Sequence, residues 1–259
     1  AMQWVVGGLA APVTYALARP VTRWAFLAGL IVAFDPTLVG SASLLLSETL
    51  AVTVLTALWC VGLRLATGRG SWRQWASAAL LASLCVYARE SLLVLIAALL
   101  LALIVMRRDA RTAAGAAGVG LVVLVALLPW AWRNQRVLGQ WCWLTTRGGI
   151  SLYDGVRPGA TGASDLAEVK DVPAVRGLSE VEWDAYFRNA AYTAIREEPG
   201  RVLGLIPVKW ARTWSPMLNA AEYASPGMRI IFALWYVPLY LAVVTGCIVR
   251  RRSAATVVL

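Results

Sequence analysis

Long uncharged apolar stretches recur along the chain, and arginines cluster in every second gap between them. Residues 112–132, 230–249 and 36–63, the last broken only by Glu48, each approach or exceed the length that crosses a ~30 Å hydrocarbon core at ~1.5 Å per residue. Shorter apolar runs occupy residues 2–18, 21–34, 74–88 and 91–106, so the pattern predicts an all-α polytopic membrane protein with about seven transmembrane helices. Composition agrees: 59% of the 259 residues are hydrophobic and 15% charged, which excludes a water-soluble globule.

Arg19 and Arg23 fall in the first connection, Arg64, Arg69 and Arg73 in the third, Arg107, Arg108 and Arg111 in the fifth, and Arg250, Arg251 and Arg252 after the last span. By the positive-inside rule all four places are cytoplasmic. They hold eleven arginines and one acid, Asp109, which equals the whole net charge of +10; the remainder carries 13 basic and 13 acidic residues. The charge is therefore a topology signal, and nucleic acid, which needs a continuous basic face, is excluded as a partner. The bias of 22 Arg to 2 Lys is that of a GC-rich bacterial genome, and the protein is expected in the bacterial inner (plasma) membrane. There is no His, which removes imidazole catalysis and His metal sites from this chain, and its four Cys form no CxxC pair, so neither a disulfide framework nor a zinc site is indicated.

Residues 1–132 are expected to hold six membrane segments, residues 133–229 one large extracytoplasmic loop region, and residues 230–259 a last span with a basic cytoplasmic end. Both ends of the chain are apolar, as expected for an internal fragment of a larger polytopic protein. The loop is expected to be mixed. Its first half, residues 133–178, is rich in Gly, Pro, Asp and Thr and predicts ordered loop with short strand. In its second half Ser179 and Glu182 form a capping box, Trp183, Phe187, Ala190 and Ala194 share one helix face, and Pro199-Gly200 ends the helix. Residues 201–214, interrupted by Pro207 and Lys209 and carrying Trp210 and Trp214, suit a helix lying in the membrane interface.

Residues 74–88 and 91–106 have basic residues at both far ends, so they predict a hairpin with Arg89-Glu90 at its tip. Each arm is roughly 22 Å long, too short to lift the tip clear of a ~30 Å core, and charges held there need water, each other or a ligand. Glu48 lies about 24 Å from Arg64 along its helix, at the same level, and Asp35-Pro36 breaks the preceding segment there too. Asp35, Glu48, Arg89 and Glu90 are thus candidates to surround one outer cavity, or Glu48 and Arg89 form a structural ion pair beside an exposed Asp35. Arg133, Arg147, Arg157, Lys209 and Arg212 supply further cations on the outer side, suited to phosphate or to snorkelling at headgroup level.

Pro36-Thr37-Leu38-Val39-Gly40, Leu45-Leu46-Ser47-Glu48-Thr49-Leu50, Ala88-Arg89-Glu90-Ser91-Leu92-Leu93, Pro129-Trp130 with Arg133-Asn134, Thr146-Arg147-Gly148-Gly149-Ile150-Ser151-Leu152-Tyr153 leading to Pro158-Gly159-Ala160-Thr161-Gly162, and Lys209 to Trp214-Ser215-Pro216 follow one another in order. This series resembles the bacterial membrane glycosyltransferases of the GT-C superfamily, in the branch related to protein O-mannosyltransferases and aminoarabinose transferases. Two motifs depart from the family: Arg89-Glu90 lacks the usual intervening Pro, and Arg147-Gly148-Gly149 and Val156-Arg157-Pro158 stand where Asn-Gly-Gly and Asn-Asn-Pro are usual.

The resemblance implies transfer of a sugar from a polyprenyl-phosphate donor to an extracytoplasmic hydroxyl, on a protein or glycolipid acceptor, with inversion. It implies no covalently bound cofactor, and places the catalytic Asp in a loop upstream of Ala1. Arg89, Arg133, Lys209 and Arg212 are then the expected phosphate-binding residues, Arg147, Tyr153 and Arg157 the expected substrate-binding residues of the loop, and Asp35, Glu48 and Glu90 the cavity carboxylates. The alternative from another class is a transporter or flippase of an anionic lipid or lipid-linked sugar. It predicts polar residues through the cytoplasmic halves of the helices, which here are almost purely apolar.

Overall fold

The computed structural model describes residues 2–44, 47–68, 70–166, 172, 175–217 and 225–252. Leu45, Leu46, Arg69, Lys170 and residues 253–259, on which parts of the sequence reading fall, lie outside them. The described residues are helical with no strand, and the chain divides into two compact units, Ala1–Thr145 and Thr146–Leu259.

The first unit contains α1 (Met2–Ala18), α2 (Ala25–Ala33), α3 (Pro36–Ser43), α4 (Ser47–Thr67), α5 (Trp72–Ala88), α6 (Leu92–Arg107) and α7 (Ala110–Leu138). Local chemistry sets the breaks. Asp35 caps α3 by accepting the Leu38 N–H at 2.9 Å, with Pro36 in the first turn where its missing N–H costs nothing. Ser71 and Gln74 form a reciprocal capping box at α5. Asp109 caps α7 through the Thr112 N–H and hydroxyl; these bonds, with the nearby Arg107, hold its carboxyl below its ordinary value.

Contacts at the helix ends give the directions. Thr53 donates to the Val6 carbonyl and Cys60 to that of Val13, so α1 runs alongside α4 in the same sense. Glu48 pairs with Arg89 at one end of α4, and Arg107 donates to the Ala66 carbonyl at the other, so α6 is also parallel to α4. The Trp75 indole lies against Gly115 near the start of α7, while Tyr87 Oη donates to the Ala126 carbonyl at 2.6 Å. Helix α5 therefore runs parallel to α7 and opposite to α4 and α6, which makes α5–α6 the predicted hairpin. Arg64, Arg73, Arg107, Arg108 and Arg111 gather at one end of this unit, and Glu48, Arg89 and Glu90 at the other.

Its core joins α4 to α7: Val54, Leu58 and Leu65, the small residues Ala78, Ala79, Ala82 and Cys85, then Ile96, Leu99, Leu103, Val119, Val123 and Leu127. The alanine face of α5 lets its neighbours approach closely.

The second unit contains α8 (Gly148–Val156), α9 (Glu180–Glu197), α10 (Pro199–Thr213) and α11 (Pro226–Arg252). The capping box is present at α9, where Ser179 holds the Glu182 carboxyl below its ordinary value through two hydrogen bonds. Phe187, fully buried, packs against Ile150, Tyr153 and Trp183, and Ala191 and Ala194 pack against Val156. The buried face of α9 is thus Asp184, Phe187, Ala191 and Ala194, which keeps Phe187 and Ala194 of the predicted stripe and has Asp184 and Ala191 in place of Trp183 and Ala190.

Among the described residues three helices, α4, α7 and α11, are long and apolar enough to cross a membrane, or four if α2 and α3, bent by 43° at Asp35-Pro36, count as one. The break after Ser43 divides the apolar stretch of residues 36–63 into α3 and α4. Helices α1, α5 and α6 have 17, 17 and 16 residues, roughly 24–26 Å at 1.5 Å each. Among the described residues of 133–178 there is no strand: α7 continues through Arg133 to Leu138, and α8 follows.

Candidate functional site

At the end of the first unit remote from its arginine cluster, α4 opens with Glu48 in its first turn and α5 closes with Arg89 in extended backbone. Arg89 Nη1 donates to Glu48 Oε1 at 2.5 Å, and the two side chains are 43% and 39% exposed. The pair joins two of the expected cavity residues directly. Glu90 is exposed in the turn that follows, where the Leu92 and Leu93 N–H groups return to the Arg89 and Glu90 carbonyls. Asp35 serves as the α3 cap. A half-exposed ion pair in water contributes under about 1 kcal/mol, but within a bilayer each partner becomes the condition for keeping the other.

Arg133 lies on α7 with its guanidinium 5.2 Å from the Trp130 ring centre and donates to Asn134 Oδ1 at 3.1 Å. Asn134, buried, donates to the Cys142 carbonyl, and the Trp130 indole N–H donates to that of Leu144, both at 2.9 Å. These bonds fold residues 141–144 back along the end of α7, after a turn at Gly139 whose φ of +73° suits glycine.

In the second unit Arg147 is exposed at the N-terminus of α8. Tyr153 packs its ring 5.3 Å from that of Phe187, inside the apolar cluster. Arg157 is nearly buried between Asp154 and Asp165, each at 3.9 Å. Lys209 Nζ donates to the Gly155 carbonyl at 2.6 Å, so it fastens α10 to the end of α8; Arg212 is half-buried one turn further on.

Three groups that sequence reasoning passed over organise this unit. Asp184 is 4% exposed and accepts the Gly149 N–H at 2.5 Å while pairing with Arg188, which is therefore no neutral surface position. Asp154 is buried and accepts the Asp165 N–H at 3.0 Å. Arg201 donates to the Val156 and Arg157 carbonyls at 2.8 and 2.9 Å and pairs with Glu198. The spacing of Asp184 to Arg188 (i,i+4) and of Asp154 to Arg157 (i,i+3) was the available signal.

Among the described residues no group of three Cys, Asp or Glu side chains is placed to hold a metal ion. Two apolar cavities flank α1 and α2, one of about 150 Å³ lined by Trp4, Gly8, Val32 and Leu38 among others, the second of about 290 Å³ lined by Pro12, Tyr15, Phe26 and Leu30. No protein-family model, curated protein or solved structure matches the chain.

Proposed function

We propose that this chain is part of an integral-membrane glycosyltransferase that moves a sugar from a polyprenyl-phosphate donor to an extracytoplasmic hydroxyl with inversion. The observation that carries the reading is the Glu48–Arg89 pair, at the end of the helical unit opposite its arginine cluster. With that cluster cytoplasmic, the pair stands on the outer side, at the depth of a lipid-linked phosphate. The ordered series of motifs supports the same reading. Seven spans in the bacterial inner membrane belong to it, with α1, α5 and α6 crossing where the bilayer thins or the helix ends are covered.

In this reaction the acceptor oxygen bonds to the anomeric carbon from the face opposite the phosphate, and the bond from that carbon to the phosphate oxygen breaks. The bonding pair leaves on the polyprenyl phosphate, and the acceptor proton passes to a carboxylate. Charge grows on the phosphate, so cations fixed beside it lower the barrier. Arg89 and Arg133 are assigned that role. Lys209 and Arg212, expected from the sequence to serve the same phosphate, belong to the second unit and enter the same test.

Sugar transfer from a polyprenyl-linked donor is measured on the reconstituted full-length protein, with the loop expected upstream of Ala1 included, and normalised to folded protein. A charged contact contributes about 1.5–3 kcal/mol, so Arg89→Ala, Arg133→Ala and Lys209→Ala should each lower turnover roughly ten- to a hundredfold. Exposed Arg196→Ala is the control. Normal turnover per folded molecule in all three variants overturns the assignment.

A further inference from the structure

Beyond Arg133, already assigned to the donor phosphate, the far end of α7 carries a second cation and an aromatic group that glycosyl transfer does not use. Trp132 and Arg136, one turn apart, both point away from the core, whose contacts on this part of the helix are Ala131 and Asn134. The Arg136 guanidinium sits 3.8 Å from the Trp132 ring centre, a close cation–π contact that fixes a flexible side chain in one place. Arg133 lies beside it over Trp130. The segment folded back by the Asn134 and Trp130 hydrogen bonds presents Trp141 and Trp143, stacked on each other at 6.3 Å and exposed. Neither Arg133 nor Arg136 has a carboxylate within ion-pair distance among the described residues.

Length fixes the level of this group. From Arg111, beside the α7 cap, to Trp132 is about 32 Å at 1.5 Å per residue, against a ~30 Å hydrocarbon core. With α7 as a span, Trp132, Arg133 and Arg136 emerge together at the headgroup layer, and their charge is complementary to a phosphodiester there. We propose that the end of α7 and the segment folded onto it form a seat for one anionic phospholipid headgroup. Arg136 supplies the charge, and the tryptophans hold the seat at the interface. This inference rests on the membrane placement of α7 in the reading above and not on sugar transfer.

The probe is phosphatidylglycerol, titrated against phosphatidylcholine of the same acyl chains, with bound lipid counted by native mass spectrometry on the purified full chain in detergent. Wild-type protein should retain one phosphatidylglycerol in preference to phosphatidylcholine. Arg136→Gln should weaken that binding roughly fivefold, the effect expected of one arginine near an anionic surface. Arg136→Lys, which keeps charge and loses the planar stack, should fall between. Equal retention of the two lipids, or Arg136→Gln indistinguishable from wild type, overturns the proposal. Sugar transfer is measured on the same preparations. In the full-length protein with the upstream loop, selective lipid retention without transfer would sink the function proposed above and leave this seat standing, and transfer without selective retention would do the reverse.

Discussion

Gly148 and Gly149 are adjacent in sequence and opposite in consequence. A Cβ built on Gly148 meets nothing within 4 Å, whereas one on Gly149 falls on the Asp184 carbonyl, where α8 crosses the buried face of α9. Gly149→Ala must push α8 off α9, lengthening the 2.5 Å bond from the Gly149 N–H to Asp184 and loosening the Ile150–Phe187 contact. Overpacking a core costs about 1–3 kcal/mol and losing a hydrogen bond to a buried carboxylate about 1.5–3, together about 2.5–6 kcal/mol. Gly148→Ala gains helix propensity and should be neutral to stabilising by up to about 1 kcal/mol. Hydrogen exchange on the full chain in micelles reads the difference. In Gly149→Ala the amides of α8 and the middle of α9 should exchange roughly 10²- to 10⁴-fold faster, while those of α4 and α5 are unchanged. Equal effects of the two substitutions, or full protection in Gly149→Ala, would refute the close-approach reasoning.

Gly115 poses the same question in the first unit, since a side chain there would occupy the Trp75 indole; Gly115→Leu should abolish folded protein by size-exclusion chromatography, and Gly118→Leu, in open space, should not. Glu48→Gln leaves Arg89 charged without its partner and should lower folded yield more than the double substitution Glu48→Gln/Arg89→Gln, as a thermal-stability series on all three proteins would show. The depressed Glu182 carboxyl stabilises the start of α9 fully above its ordinary value of 4.5, and the contribution is lost as pH falls below that toward the lower folded value. Exchange of the first-turn amides of α9 should therefore acquire an acid-dependent component that Glu182→Gln removes. Cys at Arg108 and at Arg147 should differ in labelling by an impermeant thiol reagent in intact spheroplasts, only the second reacting.

The alternation of apolar runs with arginine clusters was enough to predict the α5–α6 hairpin of the first unit. Contacts at both ends of α4, Glu48 with Arg89 and Ala66 with Arg107, place the α5–α6 hairpin where charge counting put it. The division into α3 and α4 escaped because residues 36–63 carry no charge apart from Glu48, and a run defined by the absence of charge does not show where one helix ends and the next begins. In the loop, Gly, Pro and Asp were read as irregular chain, although the Gly148-Gly149 pair lets a short helix approach a neighbour. Asp184 was missed for a related reason. A carboxylate on a helix face is ordinarily solvated, and only the position of the Gly149 N–H, a tertiary fact, makes this one a buried acceptor. Tyr153 and Arg157, selected as substrate contacts, are engaged with Phe187 and with Asp154 and Asp165 respectively.

Photo-crosslinking of a polyprenyl phosphate that carries a diazirine beside its phosphate, to the full chain in membranes, tests the proposed donor site most directly. Peptide mapping should recover label on residues 88–92 and 130–134, competed by unmodified polyprenyl phosphate and lost from the first peptide in Arg89→Ala with folded protein unchanged. Label confined to other helices, or label at these peptides that neither competitor nor substitution diminishes, would contradict the account.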